Sequence, residues 1–172
     1  MGQKLTEDNL EFDFTQAIQC IRFDDDSTHG LSHCMKRVDF IVETMDNVLF
    51  IEVKDLDNPE AHYRDVKNFI QELKSKKLIT SKLVPKARDS FLYNYLMDNL
   101  PEGKPKIYIV FLESKDILSI ELLHLTDVLK NQLPVNGPLM KAWNKAYYQS
   151  CLMLNMVQWN RFMSQFPVRR IS

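Results

Sequence analysis

The sequence predicts a single α/β domain over residues 1–172, in which a mixed sheet is flanked by helices. Two neighbouring segments, 36–44 and 48–54, are rich in β-branched and aromatic residues and predict two strands joined by a tight antiparallel turn. After Pro59 the apolar residues recur at helical spacing, and residues 107–112 form a nearly continuous apolar run. Such a run is typical of a strand buried on both faces, and strands that alternate with helices are typical of α/β folds.

The predicted order of elements along the chain is α-β-β-β-α-α-β-α-α-β-α. Strands are expected at residues 17–24, 36–44, 48–54, 107–112 and 151–156. Helices are expected near the N-terminus, between Pro59 and Leu73, and at residues 87–99, 119–132 and 139–149, with a short helix or turn at 159–166. The last strand is expected at an edge of the sheet, and Arg169 and Arg170 in a solvated tail.

The composition indicates an ordinary folded protein. The chain has 172 residues, of which 45% are hydrophobic and 26% charged, so it can bury a core and is not globally disordered. No apolar run approaches the roughly 20 residues that span a bilayer, and the N-terminus lacks the pattern of a secretory signal. We therefore expect no membrane partner and a cytoplasmic location, with the three cysteines reduced.

The predicted hairpin places two carboxylates and an amine on one face of the sheet. Side chains alternate along a strand, so Glu52 and Lys54 project from one face. If Glu43 pairs with Val48, Asp39 lies directly opposite Glu52, with the Cβ atoms about 5 Å apart. A register shifted by two residues would set Asp39 opposite Lys54 instead, and both registers keep the three groups together.

Facing carboxylates repel each other unless a cation lies between them. Magnesium prefers oxygen ligands, and it can polarise a phosphoryl group and lower the pKa of a bound water. A lysine beside the ion can orient the nucleophile or stabilise the charge that develops on the phosphate. The three residues therefore hold the groups that phosphodiester hydrolysis needs. The alternative is a cluster of salt bridges on a half-exposed sheet, which would contribute little stability.

An aspartate at position 39, twelve intervening residues and then Glu52-Val53-Lys54 resemble the PD-(D/E)xK nuclease superfamily over about residues 5–112. Val38 stands where the motif has proline. The resemblance implies a restriction-endonuclease-like αβββαβ core, outside which the additional C-terminal helices and the edge strand would lie. It also implies Mg²⁺-dependent cleavage of DNA with Mn²⁺ as a substitute, Asp39, Glu52 and Val53 as metal ligands, and Lys54 assisting the attacking water.

Many members of the superfamily carry a further glutamate on the first helix. Glu7 and Glu11 both fall in that region of this sequence, and we favour Glu11 as the additional catalytic residue.

A basic segment follows the candidate site. Residues 64–88 hold eight basic and two acidic side chains, which gives the segment a charge of +6 on a chain whose net charge is −1. Such a segment can neutralise phosphates, although lysine-rich helix faces are also commonly just solvated. The candidate nucleic-acid contacts are Arg64, Lys67, Gln71, Lys74, Lys86 and Arg88.

These observations predict a Mg²⁺-dependent endodeoxyribonuclease, of the kind that acts in restriction, phage defence or repair. Two alternatives stay open: a catalytically inactive nucleic-acid-binding or scaffold subunit on the same fold, and an enzyme on this core that cleaves RNA or processes nucleotides. Since the chain has no evident module for target recognition, cleavage of both strands would require a homodimer or a partner subunit.

Overall fold

The computed structural model of this chain describes residues 1–25, 27, 34–138 and 141–171. The strands are β1 (Lys4–Glu7), β2 (Leu10–Asp13), β3 (Gln19–Arg22), β4 (Phe40–Glu43), β5 (Val48–Asp55), β6 (Lys106–Glu113), β7 (Tyr148–Leu154) and β8 (Val168–Arg170). The helices are α1 (Tyr63–Lys74), α2 (Val84–Leu96), α3 (Ser119–Gln132) and α4 (Met156–Phe162), and a π-helical turn, Ile79–Leu83, leads into α2.

A mixed five-stranded sheet with the order β3-β4-β5-β6-β7 forms the centre of the protein. Its first three strands pair antiparallel, whereas β5, β6 and β7 pair parallel. The predicted α/β class with a mixed sheet is therefore confirmed, and β7 lies at an edge as expected. A second, antiparallel sheet has the order β1-β2-β8.

Different layers cover the two faces of the large sheet. Leu73 of α1, Ala87 of α2 and Leu129 of α3 belong to the hydrophobic cluster on one face. The small sheet and α4 cover the other face, where Phe12 and Trp159 belong to a second cluster. Because β6 contributes to both clusters, both of its faces are buried, which explains its nearly continuous apolar sequence.

The expected N-terminal helix is wrong, because the chain begins with the hairpin of β1 and β2. Leu10, Phe12 and Phe14 are fully buried and alternate with charged residues, which is the period of a strand rather than of a helix. The turn between the strands contains Asp8 at a φ of 49°, a conformation that aspartate and asparagine tolerate better than most residues. The small sheet thus buries three side chains that a surface helix would have spread around its axis.

The expected helix at 139–149 is also wrong over the described residues 141–149. Residues 141–147 form no regular helix, and Tyr148 begins β7. The Tyr148 ring is buried edge-on against Phe50, and its hydroxyl donates a hydrogen bond of 2.8 Å to the backbone oxygen of Ala87. Tertiary packing therefore overrides the helical spacing of the aromatic residues in this segment.

The end of the chain is not the solvated tail that was expected. Residues 168–170 form β8 beside β2, with Arg169 opposite Glu11. The Arg170 guanidinium binds both carboxylate oxygens of Asp55, at 2.6 and 2.9 Å. The C-terminal strand is thus attached to the small sheet and to the end of β5.

The other predicted elements are confirmed, with shifted bounds in most cases. The predicted helix at 119–132 coincides with α3, and α1 and α2 cover most of the two helices expected before it. No helix in the described part of the chain combines the length and the apolar character that crossing a membrane requires.

Candidate active site

The prediction that Glu52 and Lys54 share one face of β5, with Ile51 and Val53 on the other, is confirmed. Ile51 and Val53 pack into the cluster beneath the small sheet, so Glu52 and Lys54 project from the face covered by the helices. The side chain of Glu52 is 0% exposed, and that of Lys54 is 32% exposed. An ionised carboxylate with no access to water requires partners, and its partners define the site.

Asp39 lies immediately before β4 and next to Glu52 in the strand pairing. The expected register is confirmed, since Glu43 pairs with Val48 and Phe40 with Ile51. The backbone N–H of Asp39 donates to the Ile51 carbonyl at 3.0 Å, and its carboxylate accepts a hydrogen bond of 2.6 Å from the Val53 N–H. Asp39 is therefore fixed beside Glu52 by contacts of both its backbone and its side chain.

Two ammonium groups bind Glu52. Lys54 Nζ lies 2.8 Å from Glu52 Oε1 and also donates to the Val53 carbonyl at 2.8 Å. Lys86 Nζ, from the first turn of α2, lies 2.7 Å from each Glu52 oxygen and 3.7 Å from Asp39 Oδ1. The sequence predicted Lys86 as a nucleic-acid contact, whereas the structure places it between the two carboxylates.

The charges of these groups are strongly coupled. Burial raises the pKa of Glu52, the charge of Asp39 adds to this rise, and the ammonium groups of Lys54 and Lys86 oppose it. Burial alone would lower the pKa of Lys54, but the charges of Glu52 and Asp39 outweigh burial and raise it above the ordinary value. Lys54 therefore remains protonated at neutral pH.

Glu7 and Asp24 extend the acidic region on the other side of Asp39. One carboxylate oxygen of each of the three residues lies within 4.8 Å of the other two. Burial first, and then the charge of Asp39, raises the pKa of both Glu7 and Asp24, although Arg22 binds Glu7 and partly opposes the effect there. Asp24 Oδ1 is buried and has no hydrogen-bond partner among the described residues. This arrangement concentrates negative charge that a cation would relieve.

Glu11, the glutamate favoured from the sequence, does not lie with these groups. It lies on the outer face of the small sheet, where it binds Lys4 at 3.2 Å and Arg169 at 2.8 Å. Those contacts, the hydrogen bond from Lys4 foremost, lower the pKa of Glu11. Glu7 belongs to the opposite face of the hairpin, which it shares with the buried Leu5, and it is the glutamate that the structure brings to Asp39.

Asp24 is not among the site residues that the sequence predicts, although the sequence carries a signal for it. Its position follows from the pairing of β3 with β4, because antiparallel pairing sets the end of one strand beside the start of the other. The Phe23 N–H accordingly donates to the Asp39 carbonyl at 2.8 Å. An acidic run directly after β3 was thus a predictable neighbour of Asp39.

The remaining candidate nucleic-acid contacts lie outside this cluster of charges. Arg64, Lys67 and Gln71 are exposed along α1. Lys74 continues that stripe and binds Glu121 of α3 at 2.9 Å, while Arg88 binds its neighbour Asp89 at 2.9 Å. A cavity of about 290 Å³ opens beside the cluster itself, and its lining residues are Asp24, Met35, Lys36, Arg37 and Lys86.

The three metal ligands expected from the sequence, Asp39, Glu52 and Val53, differ in the hydrogen bonds that they already accept. Both oxygens of Glu52 and the carbonyl of Val53 accept hydrogen bonds from lysine ammonium groups. Asp39 uses one oxygen for the Val53 N–H, and it also belongs to the acidic cluster with Glu7 and Asp24. Comparison of the chain with protein-family models, with curated proteins and with solved structures found no match.

Proposed function

We propose that this chain is a metal-dependent nuclease that hydrolyses the phosphodiester bonds of DNA. The observation that carries the proposal is the convergence of Asp39, Glu52 and Lys54 between the start of β4 and the C-terminal half of β5, with Glu7 and Asp24 beside them. We further propose that strands β3–β5, helices α1 and α2, and strand β6 correspond to the βββαβ part of a restriction-endonuclease-like core. The hairpin of β1 and β2 stands where that core has its first helix.

The donor atoms of the acidic cluster suit Mg²⁺ or Mn²⁺. Glu7, Asp24 and Asp39 offer carboxylate oxygens, which are the ligands that hard divalent cations prefer. Asp24 Oδ1 is buried without a hydrogen-bond partner among the described residues, and Arg22, which binds Glu7 and lies 4.0 Å from Asp24 Oδ1, is shared between two of the three carboxylates. Burial and the charge of Asp39 raise the pKa of both Glu7 and Asp24, so a divalent cation would favour their ionised forms. When bound, a divalent ion supplies polarisation of the phosphoryl group and a lower pKa for a coordinated water.

The other residues would bind and orient the reacting groups. Because Lys54 is protonated, it cannot remove a proton, and its role is to donate a hydrogen bond to the attacking water or to the phosphate oxygens. Glu52 holds the Lys54 ammonium in place at 2.8 Å. The basic side chains of Lys36 and Arg37 line the adjacent cavity, where they would neutralise the phosphate backbone.

Cleavage of supercoiled plasmid in Mg²⁺ or Mn²⁺ tests the proposal. The parent protein should convert the plasmid to open-circular or linear DNA, and Asp39→Asn and Lys54→Met should each lower the rate by at least about a hundredfold, as is typical when a group that stabilises the transition state is lost. Glu102→Gln and Lys145→Met are the matched controls, since both side chains are exposed and lie outside the site. Full activity of both site variants, or no metal-dependent cleavage by the parent, would refute the proposal.

One observation favours a second function, that of a catalytically inactive subunit that binds nucleic acid or serves as a scaffold. Lys54 and Lys86 together bind both oxygens of Glu52, so the chain's own lysines neutralise this carboxylate without a metal ion. Such a subunit would shift DNA in a gel in the presence of EDTA and would cleave neither DNA nor RNA with any divalent metal. Under the leading proposal, cleavage appears once the metal is added.

A further inference from the structure

The ammonium of Lys86 fills the space between the two carboxylates of the motif. Its Nζ lies 2.7 Å from each oxygen of Glu52 and 3.7 Å from Asp39 Oδ1. Lys86 comes from α2, on a different element from both carboxylates, so the contact depends on how that helix packs against the sheet. The Lys86 ammonium therefore occupies the space that a metal ion would need in order to bind Asp39 and Glu52 together.

The same side chain has room to leave this position. The Lys86 side chain is 24% exposed and lines the cavity of about 290 Å³ that opens beside Asp24. A lysine has a flexible four-carbon stem, and its ammonium can change partners without movement of the helix. Lys54 lies on the same strand as Glu52 and binds it at 2.8 Å, so Glu52 keeps one counterion when Lys86 withdraws.

We propose that Lys86 is a tethered competitor of the divalent cation: it occupies the space between Asp39 and Glu52, and a metal ion binds there only when the Lys86 ammonium withdraws into the adjacent cavity. The inference rests on the metal dependence of the proposed function and on Asp39, the carboxylate that this space shares with the acidic cluster of Glu7 and Asp24. It adds that this chain sets its own metal affinity, because an ammonium and a divalent ion repel each other and share the same two carboxylates. Lys86 thereby keeps the buried Glu52 compensated whenever metal is scarce.

Metal affinity measured without any reaction tests this inference. Isothermal titration with Mn²⁺ should give a Kd for Lys86→Met at least tenfold lower than for the parent protein. Lys145→Met, which removes an exposed lysine outside the site, should stay within twofold of the parent. An equal or weaker affinity of the Lys86 variant would overturn the inference.

A second pair of variants covers the case in which Lys86→Met does not fold, since it leaves Glu52 with a single counterion. The single variant Glu52→Gln and the double variant Glu52→Gln/Lys86→Met both lack the Glu52 carboxylate. Circular dichroism reports whether they fold. Competition for the space beside Asp39 requires that the double variant bind Mn²⁺ at least severalfold more tightly than Glu52→Gln alone. Equal affinities in this pair would overturn the inference.

The outcomes also separate this inference from the proposed function. Suppose that the parent and the Lys86 variant bind Mn²⁺ equally well, and that adding Asp39→Asn to either protein abolishes this binding. The metal site is then supported, and competition by Lys86 is refuted. If the affinities differ as expected but plasmid is never cleaved, the nuclease function is refuted and the competition stands. If no variant binds Mn²⁺, both are refuted.

Discussion

The carboxylate of Asp39 accepts a hydrogen bond of 2.6 Å from the backbone N–H of Val53 on the central strand of the large sheet. Asp39 is 4% exposed and Val53 is 1% exposed, so water does not replace either partner. The side chain supplies the acceptor for a strand N–H and at the same time holds its charge next to Glu52. Asp39 therefore has a structural role in addition to the proposed role at the metal.

The first prediction concerns this hydrogen bond. Asp39→Ala should lower the free energy of unfolding by about 1–3 kcal/mol, because it leaves the buried Val53 N–H without an acceptor. Asp39→Asn keeps an acceptor oxygen, so its free energy of unfolding should fall by less than that of Asp39→Ala. Urea denaturation of the two variants measures the difference. If the alanine variant is as stable as the asparagine variant, this hydrogen bond does not stabilise the contact between Asp39 and β5.

The second prediction concerns the pH dependence of stability. The pKa of Asp24 is raised by burial and by the charge of Asp39, so the folded state binds this proton more tightly than the unfolded chain does. The contribution of Asp24 to stability is therefore greatest at low pH and is lost as the pH rises from the ordinary carboxyl range through the raised pKa. We expect Asp24→Asn to be less sensitive to pH across this window and more stable than the parent at neutral pH.

The measurement is the free energy of unfolding of the parent and of Asp24→Asn at a series of pH values. Asp46→Asn, in the exposed turn between β4 and β5, serves as the control and should follow the parent curve. A difference between Asp24→Asn and the parent that does not change with pH would show that charge repulsion at this cluster is not what the variant relieves.

The third prediction concerns the attachment of the C-terminal strand. Arg170→Met leaves the fully buried Asp55 carboxylate without its counterion, and we expect a loss of about 3 kcal/mol. This is the lower end of the range for a broken buried pair, because the Arg170 side chain is 34% exposed. Thermal or urea denaturation measures it.

Arg169→Met is the matched control for this loss. Its side chain is 68% exposed and binds Glu11 on the outer face of the small sheet, so its removal should change stability by less than about 1 kcal/mol. Equal effects of the two arginine variants would mean that β8 is held by strand pairing rather than by the ion pair with Asp55.

The fourth prediction concerns the basic stripe of α1. Lys74 already binds Glu121, so Arg64 and Lys67 are the exposed cations of that stripe available to phosphates. Arg64→Ala with Lys67→Ala should weaken DNA binding at low salt and reduce the slope of log affinity against log salt by about 2. Fluorescence anisotropy with a labelled duplex measures both quantities. An unchanged slope would mean that the stripe is solvated surface.

The hairpin of β4 and β5 was predictable because its information is local. Alternation along each strand assigns Ile51 and Val53 to one face and Glu52 to the other, and a short turn limits the register. The N-terminal segment carries equally local information, because the alternation of Leu10, Phe12 and Phe14 indicates a strand where the family resemblance implies a helix. The strand pairing sets Glu7 and Glu11 on opposite faces of the hairpin, a distinction that a helix of unknown phase does not make.

The sequence by itself determined that Asp39, Glu52 and Lys54 share one face of a sheet, because side-chain alternation in paired strands leaves them no other arrangement in the expected register. Only the tertiary structure decided what surrounds them. Glu7 precedes Asp39 by 32 residues and Lys86 follows Glu52 by 34, yet both reach the same site. The positions of Glu7 and Lys86 depend on how the small sheet and α2 pack against the large sheet. The spacing of residues along the chain does not predict that packing.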